Sequence, residues 1–174
     1  LTIRVSLDHY TRALHEEERG EDTWQPTFDG LKWLLANGFT TTIAGRTLWG
    51  EPDCAMRQGF GRLFAEHGLA IDAEDREQLV VFPEMDAAAD VPEITTACWD
   101  ILHVDPAAVM CASSRMVVKH RDADRPSVIA CTLLPYDTRF DLGPTLADAA
   151  GAVSLNHPHC AKFCVLGGGA CSRA

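Results

Sequence analysis

A chain of 174 residues has the length of one ordinary domain, or of a small domain carrying an appendage. Its 15 Lys and Arg stand against 25 Asp and Glu, a net charge of −10. That balance excludes nucleic acid as a partner, because phosphate-backbone binding rests on clustered cations. At 47% hydrophobic residues the chain can bury a core, yet no apolar run reaches the roughly 18 residues of a membrane span. No basic-then-apolar leader opens it, so no membrane partner and a cytoplasmic location are expected. Six of the seven cysteines lie beyond position 90. An odd, late-clustered set fits reduced metal-binding thiols better than a disulfide framework, and it divides the chain into segments 1–90 and 91–174.

Ile3, Val5 and Leu7 alternate with Arg4, Ser6 and Asp8, which predicts a strand with one aliphatic face and one polar face. It opens the chain directly, with Leu and not Met at position 1, and further sequence upstream is expected. A polar segment follows, with the acidic run Glu16–Glu18 read as a solvated face. Trp24, Phe28, Leu31 and Leu35 then fall at helical spacing before Asn37 and Gly38 close the helix. The β-rich stretch from Phe39 to Gly45 predicts a second strand, and Met56, Phe60, Leu63 and Phe64 a second helix that stops at Gly68. Leu79–Phe82 is a continuous apolar run, as in a strand buried on both faces.

Strands beginning near 3, 39 and 79 with helices between them spell a βαβαβ unit. Right-handed crossovers make its sheet parallel, either open or part of a barrel, with chemistry at the strands' C-terminal ends. Ser6, Asp8 and His9 follow the first strand, Arg46 the second, and Glu84 and Asp86 the third. Arg46 and Glu84 are candidates either for an ion pair with each other or for contact with a ligand. Gly59 and Gly61 sit inside a helical pattern, where close packing explains them better than a phosphate loop.

Beyond position 90, Pro92 is placed to open a short helix containing Ile94, Cys98 and Ile101, with Cys98 read as a buried thiol. Val109–Val118 and Ser127–Leu134 are β-rich runs flanking a polar loop, which predicts an antiparallel hairpin. Pairing them over that loop brings Cys111 and Cys131 towards the same end. Thr145–Ala150 reads as a helical turn. The tail then concentrates His157, His159, Cys160, Cys164 and Cys171. Cys160 and Cys164, four apart, can share a helical face, and the glycines before Cys171 let backbone pass close to a bulky centre.

Two sets of motifs carry a resemblance. Ser6-Leu-Asp8, His15-x3-Arg19-Gly20 and the helix and strand after them resemble the radical S-adenosylmethionine enzymes from their fourth strand onward. Cys111, Pro126-x4-Cys131, Leu142-Gly143-x-Thr-Leu146 and Cys160-x3-Cys164-x6-Cys171 resemble that family's accessory cluster domain, known as SPASM, or its shorter relative Twitch. The resemblance implies an α/β fold: 1–90 as the C-terminal part of a partial (β/α) barrel, 91–174 as a small α+β cysteine-rich accessory domain. It further implies a 5′-deoxyadenosyl radical generated from S-adenosylmethionine, a substrate modified by hydrogen abstraction, and an auxiliary [4Fe–4S] cluster. Ser6 and Asp8 would face the ribose and amino-acid parts of S-adenosylmethionine, and Arg19 its carboxylate. Arg46, Glu84 and Asp86 would border the pocket of a peptide or small-molecule substrate.

The cluster would draw its ligands from Cys111, Cys131, Cys160, Cys164 and Cys171. The family's C-x3-C-x2-C motif is absent, so the chain is expected to need a missing N-terminal part of the same protein for activity. Two other readings stand beside this one. The first is a structural zinc module of Cys160, Cys164 and Cys171 with His157 or His159. The second is a metal-free α/β binding domain whose partner docks at the strand ends.

Overall fold

The computed structural model describes residues 1–167, which fall into two compact units dividing between Met85 and Asp86. The first unit runs β1 (Thr2–Ser6), α1 (Arg12–Arg19), α2 (Trp24–Ala36), β2 (Thr40–Arg46), α3 (Asp53–Glu66) and β3 (Leu79–Phe82). Its strands form a parallel sheet in the order β1-β2-β3, with Ile3 opposite Thr41, Ser6 opposite Ala44 and Arg46 opposite Phe82. Alternation along β2 sends Ile43 and Gly45 towards the helices. There Ile43, Leu7 and Leu79 pack with Phe28 and Leu31 of α2 and with Met56, Phe60 and Phe64 of α3. Full burial of one such aromatic or aliphatic side chain contributes about 1.5–3 kcal/mol, so this cluster holds the unit together.

The helix boundaries follow local chemistry. Asn37 ends α2 by donating from its side-chain amide to the Trp33 carbonyl, and Gly38 turns the chain away at a φ of 75°. Gly59 answers a packing demand: a Cβ there would lie 2.4 Å from the Tyr10 ring, which rests directly on α3. Arg57 is buried on the same helix and donates to Asp53 and to the Ala73 and Leu79 carbonyls, tying α3 to the entry of β3.

The second unit carries α4 (Cys98–Leu102), α5 (Met110–Ser113), β4 (Met116–Val118), β5 (Ser127–Ile129) and a π-helical turn, Cys160–Val165. β4 and β5 pair antiparallel, Met116 opposite Ile129. The extended segment 140–143 lies along the other side of β5 through Ala130–Phe140, Leu142–Val128 and Val128–Gly143 backbone bonds.

The polar segment after the first strand folds as the helix α1, and in the second unit three elements differ from the sequence expectation. The run from Val109 is split, since Cys111 sits in a helical turn and only Met-Val-Val extends as strand. The second run stops at Ile129, where the 140–143 segment completes the pairing. Pro92 opens no helix: the Ile94 N–H is taken by the Asn156 side chain, and α4 begins only after Thr95 turns onto Cys98. Among the described residues, no helix is long and apolar enough to cross a membrane.

Candidate metal centre

The hairpin register decides where the cysteines go. Cys111 precedes β4 and Cys131 follows β5, and with Met116 opposite Ile129 both fall at the same end of the ladder. Cys160 and Cys164 arrive from the π-helical turn, a geometry that recurs at functional sites because its irregular ladder re-aims side chains. All four line one cavity of about 20 Å³, walled otherwise by apolar side chains such as Leu133 and Phe140. Such a space holds about one water. Cys171 lies outside the described residues. Cys54 is exposed, and Cys98, half-buried, accepts the Thr95 N–H instead of facing the cavity.

The thiols act on one another. Burial, then Cys131 and Cys111, push Cys160 up to about 12. Burial, then Cys131, raise Cys111 as well, against weaker opposition from a backbone hydrogen bond and from Arg115. Burial and the neighbouring sulfurs thus favour the neutral form of Cys160 and Cys111. A bound metal reverses that, because it favours thiolate at each ligand. Four soft sulfur donors from three chain segments are the donor set of iron–sulfur and zinc sites. Among the described residues, no group of three or more His, Cys, Asp and Glu is placed to hold a metal ion. Loading therefore requires the thiols to reorient, and a cubane requires the segments to part further than one ion does.

His157 stands behind this wall. Its ring meets Phe140 edge-on at 5.7 Å, its Nδ1 accepts the His159 N–H, and its Nε2 lies 3.5 Å from Asp137. Both ring nitrogens are thus directed at protein groups, which disfavours His157 as a zinc ligand. Arg139 holds Asp137 at about 2 through side-chain and backbone hydrogen bonds. Burial, then His159 and Arg139, lower His157, with Asp137 opposing.

In the first unit the residues nominated for S-adenosylmethionine separate. Ser6 is exposed at the end of β1. Asp8 is buried and accepts Arg19 Nε at 2.5 Å and Nη2 at 3.3 Å, while its own N–H donates to His15 Nδ1. Asp8 and Arg19 thus occupy each other. Arg46 pairs with Glu18, not with Glu84; Glu84 and Asp86 are both exposed.

His9 and His15 are fully buried. Each accepts a backbone N–H on Nδ1, from Thr11 and Asp8 respectively, which places the ring proton on Nε2. His9 Nε2 faces Glu51 at 3.8 Å, and Glu51 in turn accepts the Tyr10 hydroxyl.

Arg115 and the Asp137–His157 pair escaped sequence reading. The only sequence signal for Arg115 was its position four after Cys111. Comparison with protein-family models, curated proteins and solved structures finds no match to this chain.

Proposed function

We propose that the second unit binds an auxiliary [4Fe–4S] cluster through Cys111, Cys131, Cys160 and Cys164, and that the chain is the C-terminal portion of a radical S-adenosylmethionine enzyme. The observation that carries the reading is the convergence of four cysteines, from the α5 turn, the end of β5 and the π-helical turn, on one apolar cavity. In this reading the cluster supplies one-electron chemistry when bound. The residues around it exclude water and hold it in a protected site. The parallel βαβαβ unit is then the last part of a partial barrel, with its β1 and β2 ends turned to S-adenosylmethionine and to a peptide or small-molecule substrate. The C-x3-C-x2-C motif that cleaves S-adenosylmethionine belongs to a segment upstream, and Ser6, exposed at the end of β1, is open to that cofactor.

The test is anaerobic reconstitution with iron and sulfide, with iron, sulfide and zinc measured per chain beside the visible spectrum. About four irons and a brown, reducible chromophore are expected, lost on Cys160→Ala. One zinc and no iron would replace the cluster with a structural clip, and neither metal would leave a binding domain. A full-length gene lacking the upstream three-cysteine motif would overturn the radical-enzyme assignment while leaving the metal centre standing.

A further inference from the structure

Residues 152–155 have the pattern of a strand without a partner strand. Gly151 leads into them extended, at φ −73° and ψ 173°. Burial then alternates: Ala152, Ser154 and Asn156 are exposed, while Val153 and Leu155 are half-buried and His157 is buried. A period of two is that of β conformation. Val153 and Leu155 pack on the cluster of Ala130, Leu134 and Phe140, which anchors the segment. Among the described residues, no main-chain N–H or carbonyl of 152–155 is hydrogen bonded to another residue.

The segment borders an open cleft of about 310 Å³, at the lower end of the volumes that hold ligands. Val109, Ala112 and Arg115 also line it. Ala112, Ala150, Gly151 and Ala152 keep its walls small, so the main chain is accessible from the cleft. Among the described residues, Arg115 is the sole charged side chain on the wall. Its guanidinium donates from Nη1 to the Cys111 carbonyl at 2.5 Å and the Ser114 carbonyl at 2.8 Å, from Nε to Ala149 at 2.9 Å, and from Nη2 to Gly151 at 3.3 Å. A guanidinium has five N–H donors, so one on Nη2 is left over. In a chain of net charge −10, the cleft thus presents an isolated cation held in place by four carbonyls.

We propose that this cleft is a docking surface for an extended acidic peptide, which pairs as a β-strand with 152–155 and sets a carboxylate against Arg115. Main-chain bonds along the segment supply affinity, and alternate apolar side chains of the peptide rest on Val109, Val153 and Leu155. The carboxylate, by its charge-assisted bond, fixes the direction of the peptide. The surface needs no metal at the cysteine cavity and stands apart from the cluster reading.

The experiment uses the whole chain and a capped probe peptide, acetyl-Thr-Val-Thr-Val-Asp amide, whose β-branched residues favour the extended form. Affinity is read by titration, and the mode of binding by hydrogen exchange at single amides. With peptide at ten times its dissociation constant, exchange in 152–155 should slow by about 10-fold. Replacing the peptide's Asp by Asn should weaken binding about 10-fold, the loss of one charge-assisted bond. Alternate N–H groups of a strand point to opposite edges, so N-methylating both Val amides and both Thr amides in two further peptides should give unequal results. One of the two should lose binding and the other retain it. Ala112→Phe, which puts a ring into the cleft from an exposed position, should weaken the parent peptide while exchange in β4 and β5 stays as in wild type.

Absence of protection at 152–155 with the peptide in millimolar excess overturns the proposal, as do N-methylated peptides that both bind like the parent or both fail alike. Equal affinity for the Asp and Asn peptides overturns the role of Arg115. Protection already present in the free chain also overturns it: with concentration-dependent dimers the occupant is a second copy, and in a monomer the chain covers the segment itself. If Ala112→Phe fails to fold, the peptide series decides alone.

Discussion

The two units solve the problem of stability differently. The first has helices of 8, 13 and 14 residues and a three-stranded sheet, so most of its backbone groups are satisfied in repeating ladders around an aromatic and aliphatic core. The second has strands of three residues and no helical segment longer than the six-residue π turn among the described residues. It satisfies backbone groups one at a time with side chains: Asp105, Asp137, Asp141, Arg115 and Asn156 each bond a backbone group of a loop or turn. Small domains with so little regular structure usually add a staple, a disulfide or a metal, to offset chain entropy. On the proposed reading, a metal bound at the cysteine cavity would supply such a staple to the second unit.

The comparison breaks most visibly if metal is withheld. Stripping the loaded chain with a chelator, or replacing Cys160 by Ala, should abolish hydrogen-exchange protection at 128–142 and 157–165 and leave protection in β2 and α3 intact. Equal loss in both units, or no loss in either, would show that the metal does not divide the molecule in this way. The converse lesion is Phe60→Ala. The side chain is fully buried against Gly45, Tyr10 and Phe64, and its removal should cost about 3–5 kcal/mol by denaturant unfolding. Metal uptake by the second unit should survive it under conditions where the chain remains soluble.

A smaller effect sharpens the first unit's packing. Gly59→Ala puts a methyl group into the Tyr10 ring and should cost about 1–3 kcal/mol, because the ring is held by its bond to Glu51. Combining it with Tyr10→Ala should remove most of the added penalty. A double variant no less destabilised than the sum of the two would place the strain elsewhere.

How much of this was legible in the sequence depended on whether a signal was local. Alternation at Ile3, Val5 and Leu7 and the β-branched stretch Thr40–Ile43 are local strand signals, so the strands of the parallel sheet could be read directly, although Asp8 is as buried as Leu7. The convergence of Cys111 and Cys131 could be read because hairpin pairing is a short-range constraint. The split of the run at Val109 could not: Val-Met-Cys-Ala is equally apolar as strand or as helical turn, and the contacts that accompany the turn, Arg115 to the Cys111 and Ala149 carbonyls, are long-range in part. The pairing of Asp8 with Arg19 was likewise hidden. It depends on α1 folding back over the end of β1, and charge spacing in the sequence carries no information about that angle. Arg46 met Glu18 instead of Glu84 for the same reason.

The gentlest probe of the comparison is pH. His9 and His15 of the first unit are lowered from 6.5 chiefly by burial, with Glu51 and Asp8 respectively pulling the other way. Their neutral state is also built into the fold, since each Nδ1 already accepts a backbone N–H and must surrender that bond to take a proton. The unfolded chain protonates both rings near 6.5 while the folded chain does so only at lower pH. The unfolded state therefore binds more protons in between, and stability falls as pH drops from about 6.5 towards the folded values, then levels off. Unfolding of the first unit followed by Trp24 fluorescence should show that decline. His15→Asn, whose side-chain oxygen can replace Nδ1 as acceptor without titrating, should flatten it partway. If the slope is unchanged in that variant, His15 is not among the groups that set it, and the buried ring is a packing element whose proton plays no part in the unit's stability.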